Sequence, residues 1–509
     1  MCPGPNRIRL PTRVINVSSN PPRLLITRSE GITHGRYAAL SYCWGGPQHV
    51  RTTQETISAY TDSIPMDGLP RTLQDGIIAT RGLGLKYLWI DALCIIQEDE
   101  EDYRRELPHM AEIYNSAYVT ISASTAATCR DGFLQPRQLK YKPIRLSARC
   151  PSGDRGSVLL MHDHLEAAQE LDAIHKRGWT LQEHLLAPRL LLFGPVRMEF
   201  ICLTRTHYDG GTPVPLGAPR PGLLGVGKST LFAAQYGGFV REGTKKGFIQ
   251  SLLYRTHLMD LALRMTGEAG EFNQLLVIHW GEIIAAYTAR ALGVPSDRLK
   301  AIAGIAKKMH RQELGRYLAG LYSTNLHVQL LWVRSEEQPL QRRPTGDYRA
   351  PSWSWAAIDG SVSLKIDPFN FQNFEKSIAI PRILQCEATP VSESDKYSSF
   401  ASGILRIFGK TKSTTIQVDP QSRNLLLPAA YEGLSIIEDA ITTSQDQVAE
   451  ICFLIILEDQ RSPLAVRLEG VVLYKVADDN YQRIGYFSGD GEPPRGSNTS
   501  WVEKEVSII

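Results

Sequence analysis

The chain is expected to fold as an α/β protein, with a parallel sheet flanked by helices at its N-terminal end, then a helical region, then a β-rich C-terminal region. Three observations predict this. Short, nearly continuous apolar runs recur through the first two hundred residues, as fully covered parallel strands require. Segments with apolar residues at helical spacing separate them. Beyond Trp353 the text changes to closely spaced strand-like runs.

In order, Tyr37 to Trp44 reads as a strand stopped by Gly45-Gly46-Pro47. Thr72 is expected to cap a helix that carries Leu73, Ile77 and Ile78 and closes near Gly82 and Gly84. Tyr87 to Asp91 is the next strand. Met110, Ile113, Tyr114 and Ala117 then share one helical face, with Pro108 in the first turn or at a kink. Tyr118 to Ser122 is a third strand, and Leu190 to Phe193 a fourth. Residues 206–245, rich in Gly, Pro and basic residues, read as a loop or linker. In the helical region 246–345, Leu276, Trp280, Ile283, Ile284 and Tyr287 make one apolar face, His279 takes a hydrogen-bonded packing role, and Ser296 is expected to cap the helix of Leu299, Ile302, Ile305 and Met309. The β-rich region 346–509 carries strand signals at 403–409, 451–457, 470–476 and 483–487.

At 509 residues the chain is too long for a single core. It is 43% hydrophobic and 21% charged, and its net charge of +3 gives no basis for nucleic-acid binding. The N-terminus lacks the apolar core of a secretory signal, and the apolar run Ile451 to Leu457 is far shorter than the roughly 20 residues of a membrane helix. The 8 cysteines are scattered with no C-x-x-C pair, which points to reduced, buried thiols without a metal site. A cytoplasmic protein with no membrane contact is the expectation.

The segment Arg177-Gly-Trp179-Thr-Leu-Gln-Glu183 places a tryptophan and a carboxylate four residues apart, on one face of a helix. Parallel sheets bind ligands at the carboxyl ends of their strands, near a switch in strand order. Here those ends carry Trp44-Gly45-Gly46, Asp91 and Ser122 to Ser124.

Four blocks carry a family resemblance: Tyr37-Ala-Ala-Leu-Ser-Tyr-Cys-Trp-Gly45, Tyr87-Leu-Trp-Ile-Asp-Ala-Leu-Cys-Ile-Ile-Gln97, Met110-Ala-Glu-Ile-Tyr-Asn-Ser-Ala117 and Arg177 to Glu183, the last continuing to Leu186 and Arg189. Together they resemble the heterokaryon-incompatibility (HET) domain of filamentous fungi. The implied layout is a HET domain over 1–205 with its core at 37–202, the linker at 206–245, and the two C-terminal regions. Tyr348-Arg-Ala-Pro-Ser-Trp-Ser-Trp355 also looks like the region that often follows this domain. The resemblance implies a role in self/non-self recognition and programmed cell death, acting through self-association or another incompatibility protein. The domain is also distantly similar to TIR domains, which implies a flavodoxin/TIR-like sheet. Some TIR domains cleave NAD with a helical glutamate in a Trp-Cys-x-x-Glu setting. Trp179 to Glu183 keeps that spacing, with Thr180 in place of the cysteine.

On that resemblance NAD is the candidate substrate, with no resident cofactor. Glu183 is the candidate catalytic carboxylate, since cleaving nicotinamide from ribose chiefly needs a carboxylate beside the oxocarbenium-like transition state. The alternative is an ion pair of Glu183 with Arg177 or Arg189. Trp44 and Trp179 are the candidate aromatic contacts to the substrate. Gly45 and Gly46 would admit phosphate, or merely turn the chain, and Asp91 would accept from a ribose hydroxyl, or cap the following helix. Cys94 reads as a buried structural thiol, and Glu106 and Glu112 as surface or packing residues. Gly222 to Ser229 satisfies G-x-x-x-x-G-K-S, but the proline-rich stretch before it is no central strand, which argues against nucleotide binding there. The alternative to an enzyme is a non-catalytic signalling module acting by oligomerisation or partner recruitment.

Overall fold

A computed structural model describes chiefly residues 8–136, 144–149, 155–160, 173–195, 198–202, 205–209, 269–310, 312–337, 348–364, 381–418, 434–439, 448–462, 465–477, 480–490 and 501–509. Most of the 206–245 linker and the whole of Gly222 to Ser229 fall outside the described residues. The chain divides into two units, 1–265 and 266–509.

In the first unit the strands are β1 (Arg13–Asn16), β2 (Arg23–Ile26), β3 (Tyr37–Ser41), β4 (Tyr87–Trp89), β5 (Val119–Ser122), β6 (Arg189–Phe193), β7 (Met198–Cys202), β8 (Arg205–Tyr208) and β9 (Val214–Pro215). They form a nine-stranded sheet in the order β9-β8-β7-β6-β5-β3-β4-β1-β2. Its centre, β4-β3-β5-β6, is parallel, with Ala39 level with Trp89 and Thr120, and Ser122 level with Ser41 and Leu192. Counted along the chain, that centre runs 2-1-3-4. The rest is antiparallel, so the sheet is mixed where the sequence predicts a parallel one. The physical reason is connection length. Neighbours joined by a few residues, such as β1 and β2 or β6 and β7, can only fold back, whereas a parallel pair needs a crossover.

Side chains alternate across β3, and this sets the two helical layers. Leu40 faces α1 (Arg71–Gly82), where a side chain at Gly76 would begin 3.0 Å from Leu40 Cδ2. The opposite face carries Tyr37 and Ser41. Tyr37 donates its hydroxyl to the Ile113 carbonyl at 2.6 Å, on α2 (Met110–Ser116), and Ser41 meets Glu183 on α3 (Trp179–Leu186). Trp89 and Tyr114 pack edge to face on that side at 5.7 Å.

Two local expectations change. The α1 cap is Pro70, and Thr72 lies inside the first turn, where its hydroxyl donates to the Thr128 carbonyl and accepts from the Gly132 amide. Proline suits a helix start because its missing N–H has no role there. Ser296 likewise sits inside a short 3-10 turn, Pro295–Asp297, and the following helix starts after Leu299. Pro108 does interrupt its helix, in a 3-10 turn between Glu100–Glu106 and α2. Arg13 on β1 is buried against Asp102 at 2.5 Å and the Cys94 carbonyl at 2.6 Å, which ties the first strands to the two short helices after β4.

In the second unit, α4 (Ala269–Thr288) and α5 (Lys300–Met309) precede the strands β10 (Arg382–Ser392), β11 (Asp395–Val418), β12 (Leu434–Glu438), β13 (Val448–Ser462), β14 (Ala465–Ala477), β15 (Asn480–Asp490) and β16 (Val502–Ile508). β16 pairs with both β11 and β15, so β11-β13-β14-β15-β16 closes into a ring. Ile451, Phe453, Val472 and Phe487 pack in its buried core. β10 lies at the outer edge, and its ladder to β11 slips around Pro390 and again between Ile383 and Gln385. His279 is half-buried and bonds Glu282 at 3.0 Å. Of the 348–355 block, Tyr348 is exposed and the residues from Pro351 onward are core: Trp353 and Trp355 are fully buried, and Trp280 and Trp355 both donate to the Gly320 carbonyl, at 2.8 and 2.9 Å. Among the described residues no helix is long and apolar enough to cross a membrane.

Candidate functional site at the carboxyl ends of the parallel strands

The order 2-1-3-4 means that the chain leaves β3 in one direction and β5 in the other, and the crevice outside their carboxyl ends is where such sheets receive ligands. Ser41 and Ser122 are the last residues of those two strands and lie side by side. Both are fully buried, as is Thr120. Glu183 reaches this point from the first turns of α3, and Arg177 from the segment just before it.

Glu183 is 5% exposed. Its Oε2 accepts a short hydrogen bond from the Ser41 hydroxyl, and the same hydroxyl lies 3.3 Å from His184 Nε2. Removing a carboxylate from water disfavours its charge, and burial pushes Glu183 up to about 7. Arg177 and the hydroxyls of Ser41 and Tyr114 pull it down, and nearby Asp91 adds to the rise. Burial also works against the Arg177 charge, but Glu183 and Asp91 outweigh it and hold the guanidinium above its ordinary range. Arg177 donates to the Tyr42 carbonyl as well. Arg189, the other cation weighed from the sequence, donates to the Tyr118 carbonyl at 3.1 Å and stacks on the Tyr118 ring.

Trp44 and Asp91 are brought together. The indole N–H donates to Asp91 Oδ2 at 2.9 Å, while Oδ1 accepts from the Ala92 amide at 2.7 Å, as a residue starting a helical turn does. Burial raises the Asp91 carboxyl, opposed by Arg177 and by these donors. Gly45 has φ +74°, and a side chain there would begin 2.6 Å from the Thr128 backbone. Its bareness is therefore required by the 128 loop, whose Cys129 amide donates to the Trp44 carbonyl. Gly46, at φ +129°, opens onto free space. Trp179 is half-buried on the same helix as Glu183. Burial pushes the thiols of Cys43 and Cys94 up to about 11 and about 12, so both are held as neutral thiols.

Sequence reasoning missed Ser41, Tyr42, Tyr114 and His184. Only Ser41 left a trace, as a polar residue closing an otherwise apolar strand. Its partner lies 142 positions away and cannot be read from spacing. Among the described residues no group of three or more His, Cys, Asp or Glu is placed to hold a metal ion.

No curated protein and no solved structure matches the chain. Residues 37–183 match the family model described as "Heterokaryon incompatibility protein (HET)", a match that ends on Glu183 itself, and the chain thus carries a HET domain with a heterokaryon-incompatibility-related role.

Proposed function

We propose that this protein is an effector of fungal self/non-self recognition that triggers cell death by hydrolysing NAD at its N-glycosidic bond, with Glu183 as the reacting carboxylate. One observation carries the reading: a buried glutamate, pushed up to about 7, lies at the carboxyl ends of the central parallel strands. Perturbed carboxylates at such a place mark functional sites more often than chance. The strand order 2-1-3-4 supports a flavodoxin/TIR-like sheet, since flavodoxin-like sheets begin the same way. The Trp179 to Glu183 spacing agrees with it.

The reaction needs no acid for the leaving group, which departs as neutral nicotinamide. The bond between the ribose anomeric carbon and the pyridinium nitrogen breaks, its electron pair going to nitrogen. A water oxygen bonds to the same carbon and releases one proton. Ionised Glu183 stabilises the positive charge that develops on the sugar and accepts the water's proton. The ionised form predominates above about pH 7, so the rate rises through pH 7 and levels off above it. Purified, self-associated protein incubated with NAD and followed by nicotinamide release tests this. Glu183→Gln should lose at least a hundredfold, consistent with the usual contribution of a positioned acid-base group. Equal release by wild type and variant, or none in any assembled state, removes the enzymatic reading.

A second reading is a cytoplasmic, non-catalytic module acting by self-association or by recruiting another incompatibility protein. It is favoured by the 5% exposure of Glu183 and by the Trp44–Asp91 hydrogen bond, which occupies both residues with each other. On that reading Glu183→Ala leaves cell death intact in a fungal host.

A further inference from the structure

We infer that Ser41 is the positioning residue of Glu183: from the last place on β3 its hydroxyl holds the carboxyl in one orientation and favours its ionised form. The reactive role of that carboxyl rests on the function proposed above, whereas the hold itself does not.

Ser41 is fully buried at the end of a strand whose other residues are apolar. A hydroxyl left unbonded there is costly, and alanine would suit the surroundings better. Its two neighbours on α3 are both titratable, Glu183 Oε2 and His184 Nε2. A hydroxyl has one proton to donate, and the short contact to Glu183 claims it, so the lone pairs face His184. Ser122, level with Ser41 on β5, makes the contrast. It is equally buried, and its hydroxyl has no hydrogen-bond partner among the described residues. Burial polarity is common to the two serines, while contact with the carboxyl distinguishes Ser41.

The charged and titratable groups clustered around Glu183, Ser41 and Arg177 come from several elements. Arg177 precedes α3, Asp91 follows β4, Tyr114 lies on α2, Tyr42 and Cys43 follow β3, and His184 is the next residue on α3. Two neutral hydroxyls also act on the carboxyl, those of Ser41 and Tyr114. The Tyr114 hydroxyl donates to the Leu40 carbonyl at 3.1 Å, whereas Ser41 donates to Glu183 itself and can be deleted without adding or removing a charge.

The carboxyl stretch of Glu183, assigned by its disappearance in Glu183→Gln, is followed by difference infrared spectroscopy across pH 5 to 9 (roughly the span on either side of the carboxyl's own titration). In Ser41→Ala the titration midpoint should move up by about one pH unit or more, the scale of a hydrogen bond to a charged group. Ser41→Thr, which restores the hydroxyl, should return it. Ser122→Ala should leave it in place. An unmoved midpoint in Ser41→Ala, or an equal shift in Ser122→Ala, overturns the inference whatever the NAD assay gives. A shifted midpoint in a protein that cleaves no NAD upholds the role of Ser41 and discards the enzymatic reading alone. Where wild type does cleave NAD, the rise in rate should shift up in pH with the infrared midpoint.

Discussion

Asp439 in the second unit and Glu183 in the first are both buried carboxylates, at 2% and 5% exposure, and their surroundings differ in kind. Asp439 receives Arg483 Nε at 2.8 Å. The same guanidinium donates to the Leu330 and Trp332 carbonyls and lies 3.5 Å from the centre of the Trp332 ring. That is a fully engaged ion pair inside a tryptophan-rich core. Glu183 has hydroxyl donors and the influence of Arg177, yet its carboxyl is pushed up to about 7. The first arrangement fixes a fold. The second keeps a carboxyl poised between charge states at the end of the parallel strands, the place proposed above as the site, where local rules are expected to be broken for function.

The contrast can be broken most forcefully at Asp439. Asp439→Asn leaves Arg483 buried without its counter-charge, and should cost about 3–5 kcal/mol. Urea unfolding followed by hydrogen exchange in the second unit measures it, and a loss below about 1 kcal/mol would mean the pair is not structural.

Glu183→Gln should do the opposite in the first unit. The carboxyl binds protons more tightly folded, at about 7, than unfolded, at 4.5. Its effect is nil below pH 4.5, grows unfavourable from 4.5 to 7, and stays so above. At about 1.4 kcal/mol per unit the ionised group costs about 3 kcal/mol. The neutral amide should thus raise the thermal midpoint of the first unit at pH 8 and leave it nearly unchanged at pH 4. A variant equally or less stable at pH 8 would place Glu183 with Asp439 as a structural carboxylate.

Gly45→Ala should destabilise the first unit by about 2 kcal/mol, from left-handed strain and overlap with the 128 loop. If it weakens NAD binding while the thermal midpoint holds, Gly45 belongs to the site and not to the turn. Smallest of all, Trp44→Phe keeps a ring but removes the donor to Asp91, and should cost about 1 kcal/mol in thermal denaturation at pH 7.

How legible each part was follows from the range of the forces that made it. The central strands and α1 to α3 could be read because apolar runs and helical spacing are local signals, and the four sequence blocks carried the HET-domain resemblance that the family model matches over residues 37–183. The ends of those elements were less legible. The run from Tyr37 to Trp44 stops being strand at Ser41, because from Tyr42 onward the backbone turns to meet the Arg177 and 128 loops. The antiparallel flanks were missed because β1 and β2 span four residues each and carry no strong period. At the site, Glu183 was legible through its spacing from Trp179. Arg177, just before the same helix, is legible in the same way as a partner for the carboxylate. Ser41 and the Trp44–Asp91 bond depend on register between distant strands, which no local pattern encodes.

The rim strand β10 leaves Leu384 and Val391 exposed, and although Arg316 donates to its Cys386 carbonyl, an outer edge of this length would ordinarily invite a neighbour to stack on. Pro390 offers no amide to such a neighbour, and the slips beside it twist the edge out of register. The other edge of this sheet is the much shorter β12, which pairs with β15. A protein proposed to act by meeting its own kind is thus guarded, along this rim, against sticking by accident.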